Sequence, residues 1–202
     1  MIEIFSIFSQ LLLITIFCYV PTNICLFFKN NSNLDILNRL EIGIVLNLFI
    51  FLILSFILRN GSNTIYYLLI IIFLNNLIFL SKDIFQKYKN QSFKINFIFL
   101  FFIFLFLIFS IDLANNLKIG WDAQNYWLIK KLVFTNGGDF FDLKNTPRDD
   151  YPYLGSFVWH IYSKFSLLGH EYFGRLFYLY LFLLSIFSVA SIIKIKTFEK
   201  GK

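Results

Sequence analysis

The sequence predicts an all-α integral membrane protein with about five transmembrane helices and one long external loop that carries amphipathic surface helices. Two observations lead to this prediction. Hydrophobic residues make up 58% of the 202-residue chain and charged residues only 15%, whereas about half of the residues of a soluble domain are apolar. The apolar residues also form runs close to the roughly 20 residues that a helix needs to cross a bilayer.

Five apolar runs qualify as spans of a single membrane domain that covers residues 1–202. The predicted spans are residues 4–28, 42–58, 65–80, 95–113 and 173–195. The first run follows no basic segment and contains no small-residue cleavage site, so we predict a helix rather than a signal peptide. Asn75 and Asn76 interrupt the third run, and we expect both amides to face neighbouring helices. Cys18 and Cys25 are predicted to be small membrane hydrophobes rather than a disulfide or a metal pair.

The positions of the basic residues predict the orientation in the membrane. Ten of the 18 Lys and Arg residues fall on one side of the predicted spans, while the only short loop on the other side carries Arg59 alone. Because Lys and Arg concentrate in cytoplasmic loops, the long loop at residues 114–172 should face away from the cytoplasm. We therefore expect the cell inner membrane, with this loop in the periplasm or exterior. The same distribution explains the net charge of +6 without a nucleic-acid partner.

The first half of the long loop is predicted to form an amphipathic helix. A wheel of about 100° per residue over residues 121–134 places Tyr126 on an apolar arc and Lys130 and Lys131 mostly opposite. Asp122 falls inside the apolar arc, which is unusual for a helix on a membrane surface. It caps the first helical turn, acts at the water–bilayer boundary as a general base or electrostatic partner of a lipid-linked substrate, or does both.

A second surface helix is predicted to begin at residues 151–153, because Pro152 suits the first turn of a helix. A tilted or re-entrant span is the alternative. His160 and Lys164 are four residues apart and so adjacent on its polar face. They form either a face solvated beside the lipid headgroups or a pair that contacts a phosphate.

The remaining polar candidates flank this second helix. Asp149 and Asp150 are predicted to cap the helix and to be solvated, in preference to binding a divalent cation. Arg175 opens the last span, where it either snorkels to the interface or forms a bidentate contact with a lipid phosphate. The sequence has no zinc-type Cys/His cluster and no phosphate-binding glycine loop, so we predict no metal and no cofactor.

The order of these features follows a recognisable pattern. An aspartate lies soon after a span (Trp121-Asp122-Ala123), a polar loop follows, a proline starts a helix (Asp150-Tyr151-Pro152-Tyr153-Leu154), and an arginine opens the next span. Over about residues 95–195 this order resembles the first large external loop of the C-type membrane glycosyltransferases. That superfamily includes the protein O-mannosyltransferases and the lipid A aminoarabinose transferase.

The resemblance implies a polyprenyl-phosphate sugar donor and a catalytic role for Asp122 as the base. Ala123 stands where the family frequently has a second acidic residue. Members normally have many more spans, so the resemblance implies that this sequence is the N-terminal fragment of a longer chain, whose C-terminal part would be its partner.

Two functions remain open from the sequence. The first is a membrane glycosyltransferase that transfers a sugar to a lipid-linked glycan or protein acceptor. Its catalytic residue is Asp122, and its substrate-binding candidates are Arg175, Lys164, His160, Tyr126 and Asp150. The second is a non-catalytic membrane component of envelope glycan synthesis, such as a flippase subunit or an assembly partner.

Overall fold

Long apolar helices form the frame of the structure, a computed structural model that describes residues 2–20, 36–57, 62–89 and 97–199. These helices are α1 (Ile2–Cys18), α2 (Ile36–Ile57), α3 (Ser62–Lys89), α4 (Phe97–Asn115) and α7 (Tyr172–Glu199). Between α4 and α7 lie a π-helical turn (Ala123–Trp127), α5 (Leu128–Thr135), a 3-10 turn (Phe140–Asn145) and α6 (Leu154–Lys164). The described ranges contain no strand, so the predicted all-α class is confirmed for them.

Four of these helices are long and apolar enough to cross a membrane, which supports the prediction of a membrane protein. Their apolar portions are Ile36–Phe56, Thr64–Gln86, Phe97–Asn115 and Tyr172–Ala190. The first predicted span corresponds to α1, which has 17 residues. The rest of that span, with Cys25, lies outside the described residues. So do several basic residues that predicted the orientation, namely Lys29, Arg59, Lys94, Lys200 and Lys202.

The third helix is longer than the sequence predicted. Residues 81–89 were expected to begin a basic loop, but they form the last turns of α3. The expectation was wrong because a charged segment was taken for the end of a helix. This segment contains no glycine or proline, and its Lys and Gln residues are good helix formers.

Helix α1 contacts α2, α3, α4 and α7. Buried amides fasten it to its neighbours. Gln10 donates hydrogen bonds to the backbone oxygens of Tyr162 (2.9 Å) and Phe173 (3.2 Å). Asn76 donates to the Phe17 oxygen at 3.1 Å, as predicted for an amide within a span. Asn75 was expected to do the same, but it is exposed.

Helix α6 is not a surface helix. All of its residues from Ser156 to Ser163 are buried, because α6 packs against α2, α5 and α7. The predicted solvated face is therefore wrong for His160, whereas Lys164 is exposed. An amphipathic pattern does not distinguish a polar face that meets water from one that meets polar groups of the same protein.

The start of α6 also differs from the prediction. The helix begins at Leu154, and Tyr153 precedes it without a side-chain cap. The predicted capping role of Asp149 and Asp150 is wrong, since the Asp149 carboxylate accepts a hydrogen bond from the Asp150 amide instead, at 3.0 Å.

Candidate functional site

A cleft of about 690 Å³ opens where the end of α4, the π-helical turn, α6 and the first turns of α7 meet. Its volume is in the range of small-molecule sites, about 300–1,000 Å³. Its walls are mainly apolar and aromatic, and include Leu113, Trp127, Trp159, Leu179 and Phe182. Arg175 is the one charged residue among the described residues that line it.

Arg175 reaches the cleft because α7 approaches α6 closely at the preceding residue. A Cβ atom at Gly174 would lie 2.2 Å from the backbone oxygen of Trp159, so only glycine allows this spacing. The Arg175 Nε lies 3.2 Å from Oε1 of Glu171, an ion pair that does not have hydrogen-bond geometry. Both Nε and Nη2 of Arg175 are buried and have no hydrogen-bond partner within the described part of the chain. A buried guanidinium nitrogen without a partner is costly, so Nη2 is suited to an anionic ligand.

Asp122 lies beside the cleft, since the next residue, Ala123, lines it. Its φ of −62° and ψ of −40° are helical, and its side chain makes no capping hydrogen bond. The capping interpretation of Asp122 is therefore wrong. The carboxylate is exposed and forms no hydrogen bond or ion pair with a described residue, which leaves it accessible to a ligand.

The π-helical turn explains why the wheel placed the lysines of α5 incorrectly. In this turn the Leu128 amide donates to the oxygen of Ala123, five residues back, so the turn is wider than the wheel assumes. The residues that follow are rotated relative to the prediction. Lys130 and Lys131 were expected on a polar surface, but they are 0% and 7% exposed.

Lys130 organises the loop that leads into α6. Its ammonium donates to the backbone oxygens of Arg148 (2.6 Å) and Tyr151 (2.7 Å), and Arg148 has a left-handed φ of 56°. Burial lowers the pKa of Lys130, while the charges of Asp150 and Asp149 oppose this shift. Asp150 itself is exposed. Sequence analysis missed the role of Lys130, because the backbone oxygens that it binds are invisible in a residue pattern.

Tyr126 belongs to a row of aromatic rings on this side of the cleft. Its ring centroid is 5.7 Å from that of Trp121 and 5.6 Å from that of Tyr151. Trp127, the next residue, lines the cleft, and its backbone oxygen accepts a hydrogen bond from Ser156 at 2.8 Å. The row therefore connects the segment that carries Asp122 to α6.

His160 belongs to a separate cluster. Its Nε2 lies 2.5 Å from the Tyr66 hydroxyl and its Nδ1 3.1 Å from Oγ1 of Thr135. Because Thr135 donates its own proton to the Lys131 oxygen, Nδ1 must carry the ring proton, and Nε2 accepts from Tyr66. Burial lowers the pKa of His160 to about 4, and the charges of Lys131 and Lys164 act in the same direction.

Lys164 is exposed, with its ammonium 5.5 Å from the centroid of the Tyr66 ring. The predicted substrate residues thus fall into two groups. Arg175 and the segment with Asp122 and Tyr126 meet at the cleft, whereas His160 and Lys164 surround Tyr66. No group of three potential metal ligands occurs among the described residues.

Comparisons with protein-family models, with curated proteins and with solved structures give no match for this chain.

Proposed function

We propose that the cleft binds a polyprenyl-phosphate sugar donor, and that the chain is part of a membrane glycosyltransferase. The acceptor is a lipid-linked glycan or a protein on the non-cytoplasmic face. The observation that carries this proposal is one arginine with a buried, unpartnered nitrogen in an otherwise mainly apolar cleft. A lipid phosphate matches both properties, because its chain covers the apolar walls and its head pairs with the guanidinium.

The position of the cleft supports a membrane ligand. It is bounded by α4 and α7, which are both long and apolar enough to span a bilayer. Phe182 on its wall is 61% exposed, as expected for a side chain that faces lipid. A ligand with a long apolar chain could enter from the bilayer without crossing water.

The proposed transfer uses two side chains. The acceptor oxygen attacks the anomeric carbon of the sugar, and its proton passes to the Asp122 carboxylate. The bond from that carbon to the phosphate oxygen breaks, with its electron pair remaining on the lipid phosphate. Arg175 stabilises the charge of the departing phosphate. His160 has no part in this step, because both of its ring nitrogens already have partners.

The setting proposed for this reaction is the cell inner membrane, with the loop between α4 and α7 facing the periplasm or exterior. The C-terminal part of a longer chain would supply the remaining spans.

A non-catalytic lipid-binding role in envelope glycan synthesis, as a flippase subunit or assembly partner, is the second candidate. One observation favours it: no described residue holds the Asp122 carboxylate in place, whereas catalytic groups are usually fixed by their neighbours. The two candidates share the lipid-phosphate site and differ only in the need for Asp122.

Lipid binding by the purified protein in nanodiscs tests the shared site. We expect polyprenyl phosphate to bind at least about tenfold more tightly than the matching polyprenol. This is the difference in affinity that one hydrogen bond between charged groups provides. Arg175→Gln should abolish this preference, while Lys164→Gln, which removes an exposed cation elsewhere, should retain it. Equal affinity for the two lipids in the wild type, or an unchanged preference in Arg175→Gln, would contradict the proposal.

A further inference from the structure

Glu171 contacts two walls of the cleft from outside it. Its carboxylate Oε1 lies 3.2 Å from Nε of Arg175, one turn along α7. Its backbone oxygen accepts a hydrogen bond from the indole Nε1 of Trp159, also at 3.2 Å. Both partners line the cleft, although Glu171 itself does not.

The surroundings of Glu171 strengthen this ion pair. The side chains of Arg175 and Glu171 are 14% and 31% exposed, so the pair is shielded from water more than a surface salt bridge. Burial raises the pKa of Glu171, while the positive charges of Arg175 and Lys131 oppose the increase. Lys131 is only 7% exposed. Arg175 is the cation that contacts this carboxylate, and Lys131 acts on it only through its charge.

The contact at Nε leaves the rest of the guanidinium available. Arginine has five N–H donors in a planar fork, and the interaction with Glu171 involves only Nε. Nη2, which is buried, keeps its donors free of any described partner. An arginine side chain has many rotamers, and fixing them before a ligand arrives reduces the entropy lost on binding.

We propose that Glu171 is a positioning residue, which holds the guanidinium of Arg175 in the cleft so that it receives the phosphate of the lipid ligand. This inference rests on the proposed function, since it assumes an anionic ligand at Arg175. Glu171 does not touch the ligand and takes no proton from it. It orients the guanidinium of Arg175, which contacts the ligand.

Two substitutions of Glu171 distinguish the effect of its side-chain oxygen from the effect of its side-chain volume. Glu171→Gln keeps a side-chain oxygen that can stay in contact with Nε of Arg175, whereas Glu171→Leu fills similar space without an oxygen. In the nanodisc assay we expect Glu171→Leu to weaken polyprenyl-phosphate binding about tenfold, the scale of immobilising one long side chain. Polyprenol binding should change less than about twofold, and Glu171→Gln should stay within about threefold of the wild type. Glu171→Ala is the second variant, in case Glu171→Leu does not fold.

Comparing polyprenyl phosphate with polyprenol distinguishes a failure of the positioning role of Glu171 from a failure of the proposed lipid-phosphate site. If Glu171→Leu and Glu171→Ala weaken both lipids equally, Glu171 only maintains the fold and the inference is overturned. If Arg175→Gln loses the preference for phosphate while the Glu171 variants keep the wild-type affinity, the site stands but the positioning role is overturned. If the wild type does not prefer the phosphate, the proposed function fails, and the inference fails with it.

Discussion

Lys130 is a fully buried cation in the segment that leads into α6. Its ammonium lies 2.6 Å from the backbone oxygen of Arg148 and 2.7 Å from that of Tyr151. Burying a charge is costly unless it is hydrogen-bonded, and these bonds hold the loop whose Pro152 forms part of the cleft wall. The residue therefore has a structural role next to the proposed ligand site.

Replacing Lys130 should destabilise the protein. In Lys130→Met the oxygens of Arg148 and Tyr151 lose their partner, and we expect a loss of about 1–3 kcal/mol in the free energy of unfolding. Thermal melting in detergent measures the change. Lys144→Met, which removes an exposed lysine from the same region, is the control and should melt like the wild type. Equal melting of the two variants would show that the Lys130 bonds do not hold the loop.

The lowered pKa of His160 predicts that the stability of the protein depends on pH. Its pKa is about 4 in the folded protein and 6.5 in its ordinary state, so between these values the unfolded chain binds a proton that the folded protein does not. Stability should therefore fall as the pH is lowered from 6.5 to 4, by at most about 3 kcal/mol from this residue. Above pH 6.5 its contribution is constant.

Melting temperatures between pH 7 and pH 4.5 test this dependence. His160→Gln should show a shallower decrease than the wild type, because glutamine does not titrate. His170 is exposed, and His170→Gln serves as the control that keeps the wild-type slope. If melting temperature decreases with pH at the same rate in the wild type and both variants, His160 is not buried in its neutral form.

Asp122 distinguishes the two proposed functions. Asp122→Asn should lower sugar transfer by at least about 100-fold, the usual contribution of a general base, while polyprenyl-phosphate binding stays within about twofold. Transfer at the wild-type rate would refute the assignment of the base and favour the non-catalytic role.

At this scale the sequence predicted part of the candidate site. Asp122 stood out because it falls on the apolar arc of a predicted helix, and Arg175 because it opens the last predicted span. Glu171 did not, although it lies four residues before Arg175, because the spacing does not show that this pair is shielded from water beside a cleft. Lys130 did not, because the backbone oxygens of Arg148 and Tyr151 that it binds come from an irregular segment about 20 residues further along the chain.

At the scale of elements, the long helices followed from their apolar runs, whereas the short helices did not behave as predicted. The π-helical turn changed the phase of α5, and the residues of α6 from Ser156 to Ser163 are buried. The first error arose because the wheel treated the helix as regular, and the second because it placed the helix against lipid and water only. Packing of α6 between α2, α5 and α7 provides polar partners that the pattern does not reveal.

The contact between α6 and α7 depends on one small residue. In Gly174→Ala the added Cβ would lie 2.2 Å from the Trp159 oxygen and 2.5 Å from its Cδ1, so the helices must separate. We expect a loss of about 1–3 kcal/mol in stability and a shift in tryptophan emission. A Cβ added at Gly120 would meet nothing within 4 Å, and Gly120→Ala is the matched control. Unchanged melting and emission in Gly174→Ala would contradict the close packing.

At the scale of the whole molecule, the membrane class follows from composition and from helix length together. In the described core, Gln10, Asn47 and Asn76 are bonded to the backbone of other helices. The sequence predicted a partner on a neighbouring helix for Asn76, but not which helix would supply it, and it did not predict the partners of Gln10 and Asn47. The cleft was not predicted at all, because its walls come from four separate parts of the chain.

The location of a bound lipid phosphate tests the central claim most directly. A polyprenyl phosphate with a photoreactive group near its phosphate would be cross-linked to the protein in nanodiscs, and the labelled residues identified by mass spectrometry. We expect labels on Trp127, Trp159 and Leu179, reduced by an excess of unlabelled lipid and lost in Arg175→Gln. Labels confined to lipid-facing side chains such as Ile71 and Phe104, and insensitive to the competitor, would contradict the account.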